Sequence, residues 1–149
     1  MNMISLAVIG LLAGTSPAQS GQVWSFVTQT DTVVMGVDRT SVRKVGDEAT
    51  FMMLNAWNGN PAAAYAITTI RLDCAARTLR IGERRSYDAT GAETGLFTRE
   101  GPAMPVEPGS TMSKVAAAVC NDVWPAGHDS TSTSFEFYQR SMSALPPGN

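Results

Sequence analysis

Few side chains in this sequence stand in patterns that perform chemistry. The one histidine, His128, borders the polar run Asp129-Ser130-Thr131-Ser132-Thr133-Ser134, where it reads as a solvated loop residue and not as the base of a nucleophilic pair. Ser110 follows Gly109 but lies in no G-x-S-x-G pattern, and capping of a following helix accounts for it. Gly91 and Gly95 frame Ala92-Glu93-Thr94 without the later glycine and lysine of a phosphate loop. Glu83 and Asp88 could be paired carboxylates, yet a turn and a surface position explain them. Met52 and Met53 carry thioethers of the kind that suit Cu(I), but adjacent strand residues face opposite sides, which makes core filling the expectation. The chain is therefore expected to be non-enzymatic, with no cofactor and no metal site.

Two further residue types carry more. Cys74 and Cys120 are the two cysteines. No CxxC is present, and a lone histidine leaves zinc short of ligands. An even count in an exported chain reads as one disulfide. Among the basic residues all but Lys44 and Lys114 are arginine, a side chain suited to bidentate pairing with carboxylates or phosphates. Arg71, Arg80 and Arg84 have the parity to share one outer face of two neighbouring strands, with Arg77 and Arg85 beside them. That face is a candidate docking surface for an acidic partner. A solvated face balanced by Asp73, Glu83 and Asp88 is the competing reading.

Export is itself read from the first residues. Ile4 to Leu12 is an apolar run broken by Ser5 and Gly10, followed by the small-residue stretch Ala13 to Ser20. A run of roughly ten apolar residues fits a signal-peptide core, whereas a spanning helix needs about twenty. Cleavage is expected after Ala18 or after Ser20. With 11 basic and 13 acidic residues the net charge is −2, so a nucleic-acid partner is not expected, since it would need a basic footprint. No later stretch reaches membrane-spanning length.

The elements that must position these residues are read from periodicity. Strand-forming runs cover Val23 to Thr28, Thr32 to Val37, Ala49 to Trp57, Tyr65 to Cys74, Arg77 to Tyr87, and a shorter piece around Thr94 to Thr98. Ala49 to Trp57 is apolar on both faces, which predicts a strand covered on both sides. Gly46-Asp47, Asn58-Gly59-Asn60-Pro61 and Asp88-Ala89-Thr90-Gly91 punctuate them. A helix is expected after Pro108-Gly109, capped by Ser110 or Thr111. Its apolar stripe is Met112, Val115, Ala116, Val119, Cys120 and Val123. Cys74 on its strand and Cys120 on this helix both point inward, so a bridge would clamp helix to sheet. Phe135 to Tyr138 reads as an edge strand or a short helix.

The order of features resembles the surface-adhesin protein E family of small proteobacterial envelope proteins. The residues that carry the resemblance are Trp24, Val37-Asp38 with Thr40-Ser41-Val42-Arg43, Leu72-Asp73-Cys74 with Arg77 and Arg80, Tyr87, and Pro108-Gly109-Ser110 leading into Val115 to Cys120. The stretch runs from Val23 to Asn121. The resemblance implies a mainly antiparallel sheet with a helix packed on it, and surface adhesins that bind host extracellular-matrix and serum proteins.

Taken together, the expectation is an α+β chain: an antiparallel sheet of about five or six strands, one C-terminal helix on one face, and one disulfide. Residues 1–20 would be a signal peptide, 21–127 the folded domain, and 128–149 a Ser/Thr-rich linker and tail. The function expected is that of an exported envelope protein, in the periplasm or at the cell surface, that binds a protein or acidic macromolecule. The alternative is a periplasmic small-ligand carrier or inhibitor with a pocket between helix and sheet, near Ala116 to Ala118, Trp57 and Met53.

Overall fold

The structure, a computed structural model, describes residues 21–126, 131 and 133–145. The expected signal peptide, His128 and the last four residues lie outside the described residues. Eight strands form one antiparallel sheet: β1 Trp24–Gln29, β2 Val33–Asp38, β3 Arg43–Val45, β4 Glu48–Trp57, β5 Tyr65–Asp73, β6 Thr78–Tyr87, β7 Glu93–Phe97 and β8 Met104–Pro105. The path runs β1-β2-β4-β5-β6-β7, with β3 added to β4 and β8 to β6. Neighbours in the path are joined by short connections, as antiparallel pairing allows, except that the chain between β2 and β4 passes through a 3-10 turn at Arg39–Ser41 and β3. The six strands read from periodicity form the path itself. The two beyond the expected five or six are β3 and β8, of 3 and 2 residues, too short to show any alternation.

Two helices pack on this sheet, α1 Thr111–Asn121 and α2 Ser134–Ala144, where one was expected. Ser110 caps α1, its hydroxyl accepting from the Ser113 N–H at 3.1 Å, which satisfies a donor the helix leaves orphaned. Asp122 ends α1 in the left-handed conformation at φ 56°. The helix therefore stops before Val123, which is 61% exposed and does not join the apolar stripe as expected. Thr133 caps α2 by accepting from the Glu136 N–H at 3.1 Å.

The helices lie on opposite faces of the sheet. Val115, Ala118 and Val119 of α1 pack on Phe51, Met53, Ile70, Leu72 and Leu79. Phe137 of α2 packs on Trp24, Val34, Leu54, Ala56, Tyr65 and Ile67. β4 thus buries both faces, odd residues under α1 and even residues under α2, as its two-sided apolar content predicts. Gly36 is required here: any Cβ at that position would collide with the Phe137 ring. The Cys74–Cys120 disulfide is formed and ties the end of β5 to the last turn of α1. No helix among the described residues is long and apolar enough to cross a membrane.

Candidate functional site

The arginines are placed by the β5–β6 register. Arg71 stands directly opposite Arg80, with Leu72 opposite Leu79 and Ile70 opposite Ile81. Ile70 and Leu72 face α1, so Arg71 and Arg80 project on the α2 side. Beyond Ile81 the ladder shifts: Arg84 pairs with Thr68, because two residues of β6, Gly82 and Glu83, oppose one of β5. This bulge reverses the parity of the later β6 residues. Arg84 therefore projects on the α1 side, and the expectation that it shares a face with Arg71 and Arg80 is corrected. The sequence held a signal for this, since a lone glycine inside a strand pattern marks a bulge.

On the α2 side the cations are already engaged. Arg71 donates to Glu48 at 3.1 Å and to Glu100 at 3.4 Å, and Arg80 approaches Glu100 at 3.8 Å. The hydrogen bond and charge of Glu48, then those of Glu100, raise the Arg71 pKa above its ordinary value. Arg85, also on the α2 side, donates to Glu83 at 2.8 Å and Glu93 at 3.2 Å. Its pKa is raised likewise, Glu83 contributing most. All these groups are exposed, where single ion pairs hold little free energy.

Arg84 differs. No carboxylate among the described residues lies within ion-pair distance of it. Its guanidinium instead sits 5.6 Å from the centroid of the Trp57 ring, a cation–π geometry that holds the charge without neutralising it. Phe97 stands directly opposite Arg84 on β7, and Gly95 opposite Ser86. Ile81, Arg84, Ser86, Gly95, Leu96 and Phe97 line a shallow cleft of about 400 Å³. Nearby on the same sheet face lies Asn55, whose Oδ1 is buried with no hydrogen-bond partner among the described residues. Sequence reasoning missed this group. Its members lie on three strands that periodicity alone does not align.

The geometry comes from the way the helices sit. α1 covers the part of its face around Phe51, Ile70 and Leu72, and α2 covers the other face around Leu54, Ala56 and Tyr65. Each helix leaves the opposite end of its face open. One open end carries the Arg71–Glu48–Glu100 network, and the other carries Trp57, Arg84 and Phe97.

The remaining candidates have structural roles. Glu83 serves Arg85, while Asp88 accepts from the Thr90 N–H at 2.8 Å and the Ala92 N–H at 3.0 Å within its turn. Those turn hydrogen bonds, the Thr90 hydroxyl first, hold the Asp88 carboxyl below its usual range. Met53 lies in the α1-side core and Met52 against the α2-side core. Among the described residues Trp57 and Met53 line different hollows: Trp57 lines one with Asn58, Asn60 and Tyr138, and Met53 an apolar cleft of about 270 Å³ with Met104 and Met112. Ala116 and Ala117 line a third, of about 200 Å³, beside Leu72 and Cys74. Among the described residues no three His, Cys, Asp or Glu side chains gather where a metal ion could sit.

A family model described as surface-adhesin protein E matches residues 24–121. That span holds the whole sheet and α1 but not α2. Among solved structures the chain is similar to crystal form II of Haemophilus influenzae protein E, at 16% identity and a TM-score of 0.53, covering 74% of this chain and 95% of that one. A second structure of Haemophilus influenzae protein E is likewise 16% identical, covering 74% of this chain and 92% of that one at a TM-score of 0.48. No curated protein matches the chain. At such identity the first likeness speaks for the fold.

Proposed function

The chain belongs to the surface-adhesin protein E family, and we propose from this that it is a non-enzymatic, exported protein-binding module of the cell envelope. Residues 1–20 act as the export signal, and the folded domain begins at residue 21. The observation that carries the reading is the family match across the whole sheet, from Trp24 of β1 to Asn121 of α1. Two features of the chain support it. The open ends of the sheet offer exposed surface, one of them with the cleft of about 400 Å³ beside Arg84, whereas the clefts beside α1 are smaller, about 270 and 200 Å³. A disulfide clamp suits a compartment outside the reducing cytosol.

Of Arg71, Arg80 and Arg84, the last is the cation best placed to meet a partner. Arg71 and Arg80 are neutralised in place by Glu48 and Glu100.

The test is surface protease shaving of cells that express the native chain, to fix its compartment, followed by cross-linking and capture there. The expected result is an exported chain with a protein partner that excess untagged chain displaces. Capture should weaken more for Arg84→Gln than for Arg71→Gln. An uncleaved chain retained in the cytosol, or no displaceable partner in its own compartment or in matrix and serum fractions, would end the proposal.

A further inference from the structure

We propose that the free edge of β7, with the guanidinium of Arg84 behind it, takes up an extended acidic segment of a partner protein as an added strand. This rests on the protein-binding reading and states how the partner is held.

The backbone supplies the first argument. β7 ends the sheet path and, among the described strands, pairs with β6 alone. All five of its residues are exposed. Edge strands are commonly blunted by lysine, proline or a covering loop, because their unpaired N–H and C=O groups template another strand. β7, Glu93-Thr94-Gly95-Leu96-Phe97, has neither lysine nor proline. The opposite edge is treated differently: Trp24 of β1 bonds Thr131 in both directions, at 3.0 and 3.1 Å.

The side chains supply the second. Leu96 and Phe97 are 52% and 55% exposed and lie on opposite faces, so an incoming strand of alternating apolar residues would find a cross-strand partner on each face.

Charge supplies the third. The protein carries a net charge of −2, yet the one charged side chain lining the cleft beside β7 is Arg84. Arg71, Arg80 and Arg85 are each held by glutamates. A carboxylate arriving on the α1 side therefore meets a cation that no acid among the described residues engages. Main-chain pairing would give affinity, and the charge-assisted bond would give choice of partner.

The test selects displayed peptides of about eight residues, a common strand length, on the full oxidised chain and in parallel on Arg84→Glu. On the native chain the selected peptides should alternate apolar residues around one Asp or Glu. The synthetic winner should bind Arg84→Glu at least about tenfold more weakly. Methylating alternate backbone nitrogens of that peptide should abolish binding in one phase and spare it in the other, since one set of N–H groups faces β7. Selection indifferent to the charge at residue 84, or equal tolerance of both methylation phases, overturns the inference. So does self-association of the native chain that the peptide displaces, which would assign the edge to a second copy. If a protein partner is captured in the functional test but excess peptide does not compete with it, the protein-binding function stands and this docking mode falls.

Discussion

Tyr65 is sandwiched between Tyr87 and Tyr138, with ring centroids 4.8 and 4.9 Å away. Burial pushes its pKa up from 10.0 to about 12, although a hydrogen bond with the Ser134 side chain pulls it partly back. Burial also raises Tyr87. The folded state thus holds these protons more tightly than the unfolded chain. Their contribution to stability is complete below pH 10 and is lost as the pH rises from 10 toward 12. Melting temperature should fall across that window, and Tyr65→Phe should flatten the fall. A variant whose melting curve tracks the native chain through pH 12 would refute the assignment. The same scale shows where sequence reasoning failed at the candidate site. Alternation carried from Arg71 and Arg80 to Arg84 assumes an unbroken ladder, and one extra residue at Gly82–Glu83 moved Arg84 to the other face. Arg71 and Arg80 were read as sharing a face, and the register places them directly opposite each other. Their glutamate partners were not, because Glu48 and Glu100 reach them from β4 and from the segment after β7, and such pairing has no local signature.

At the scale of elements, α1 is a short helix with three fully buried side chains, and the Cys74–Cys120 bridge adds a covalent hold across 46 residues. For a loop of that length the chain-entropy model gives about 4 kcal/mol of stabilisation, acting mainly through the unfolded state. Reduction, or Cys74→Ser combined with Cys120→Ser, should lower the urea midpoint accordingly while the far-ultraviolet sheet signal persists below the transition. A loss under about 1 kcal/mol would mean that the unfolded chain is already constrained there. The long strands, α1 and this bridge were legible because each leaves a periodic or compositional mark. α2 was not assigned. The polar stretch before it gave no helical pattern, and Phe135, Phe137 and Tyr138 suited a strand equally well. What decides for helix is tertiary: Phe137 finds a place over Gly36, and Tyr138 stacks on Tyr65. β3 and β8 exist because β4 and β6 offer them an edge, not because their own residues favour strands.

For the molecule as a whole, the sheet separates two cores. One lies between the sheet and α1 and contains Val115; the other lies beneath α2 and contains Phe137. Truncating Val115, fully buried, to Ala should cost about 2 kcal/mol, and Phe137→Ala about 3–4 kcal/mol, through lost burial and the cavities left behind. Effects at well-separated sites with no common neighbours usually add to within about 0.5 kcal/mol. The double variant should therefore lose about 5–6 kcal/mol if unfolding stays two-state. The alternative is that β4, which carries side chains into both cores, transmits a shift from one to the other. Denaturant unfolding of the two single variants and the double variant distinguishes these. A coupling energy above about 1 kcal/mol would show one cooperative layer in place of two. Additivity would instead mean that α2, which lies outside the family match, can vary without disturbing the sheet face that carries Trp57, Arg84 and the β7 edge. In that case a change of helix on one side and a change of partner on the other can proceed independently in this fold.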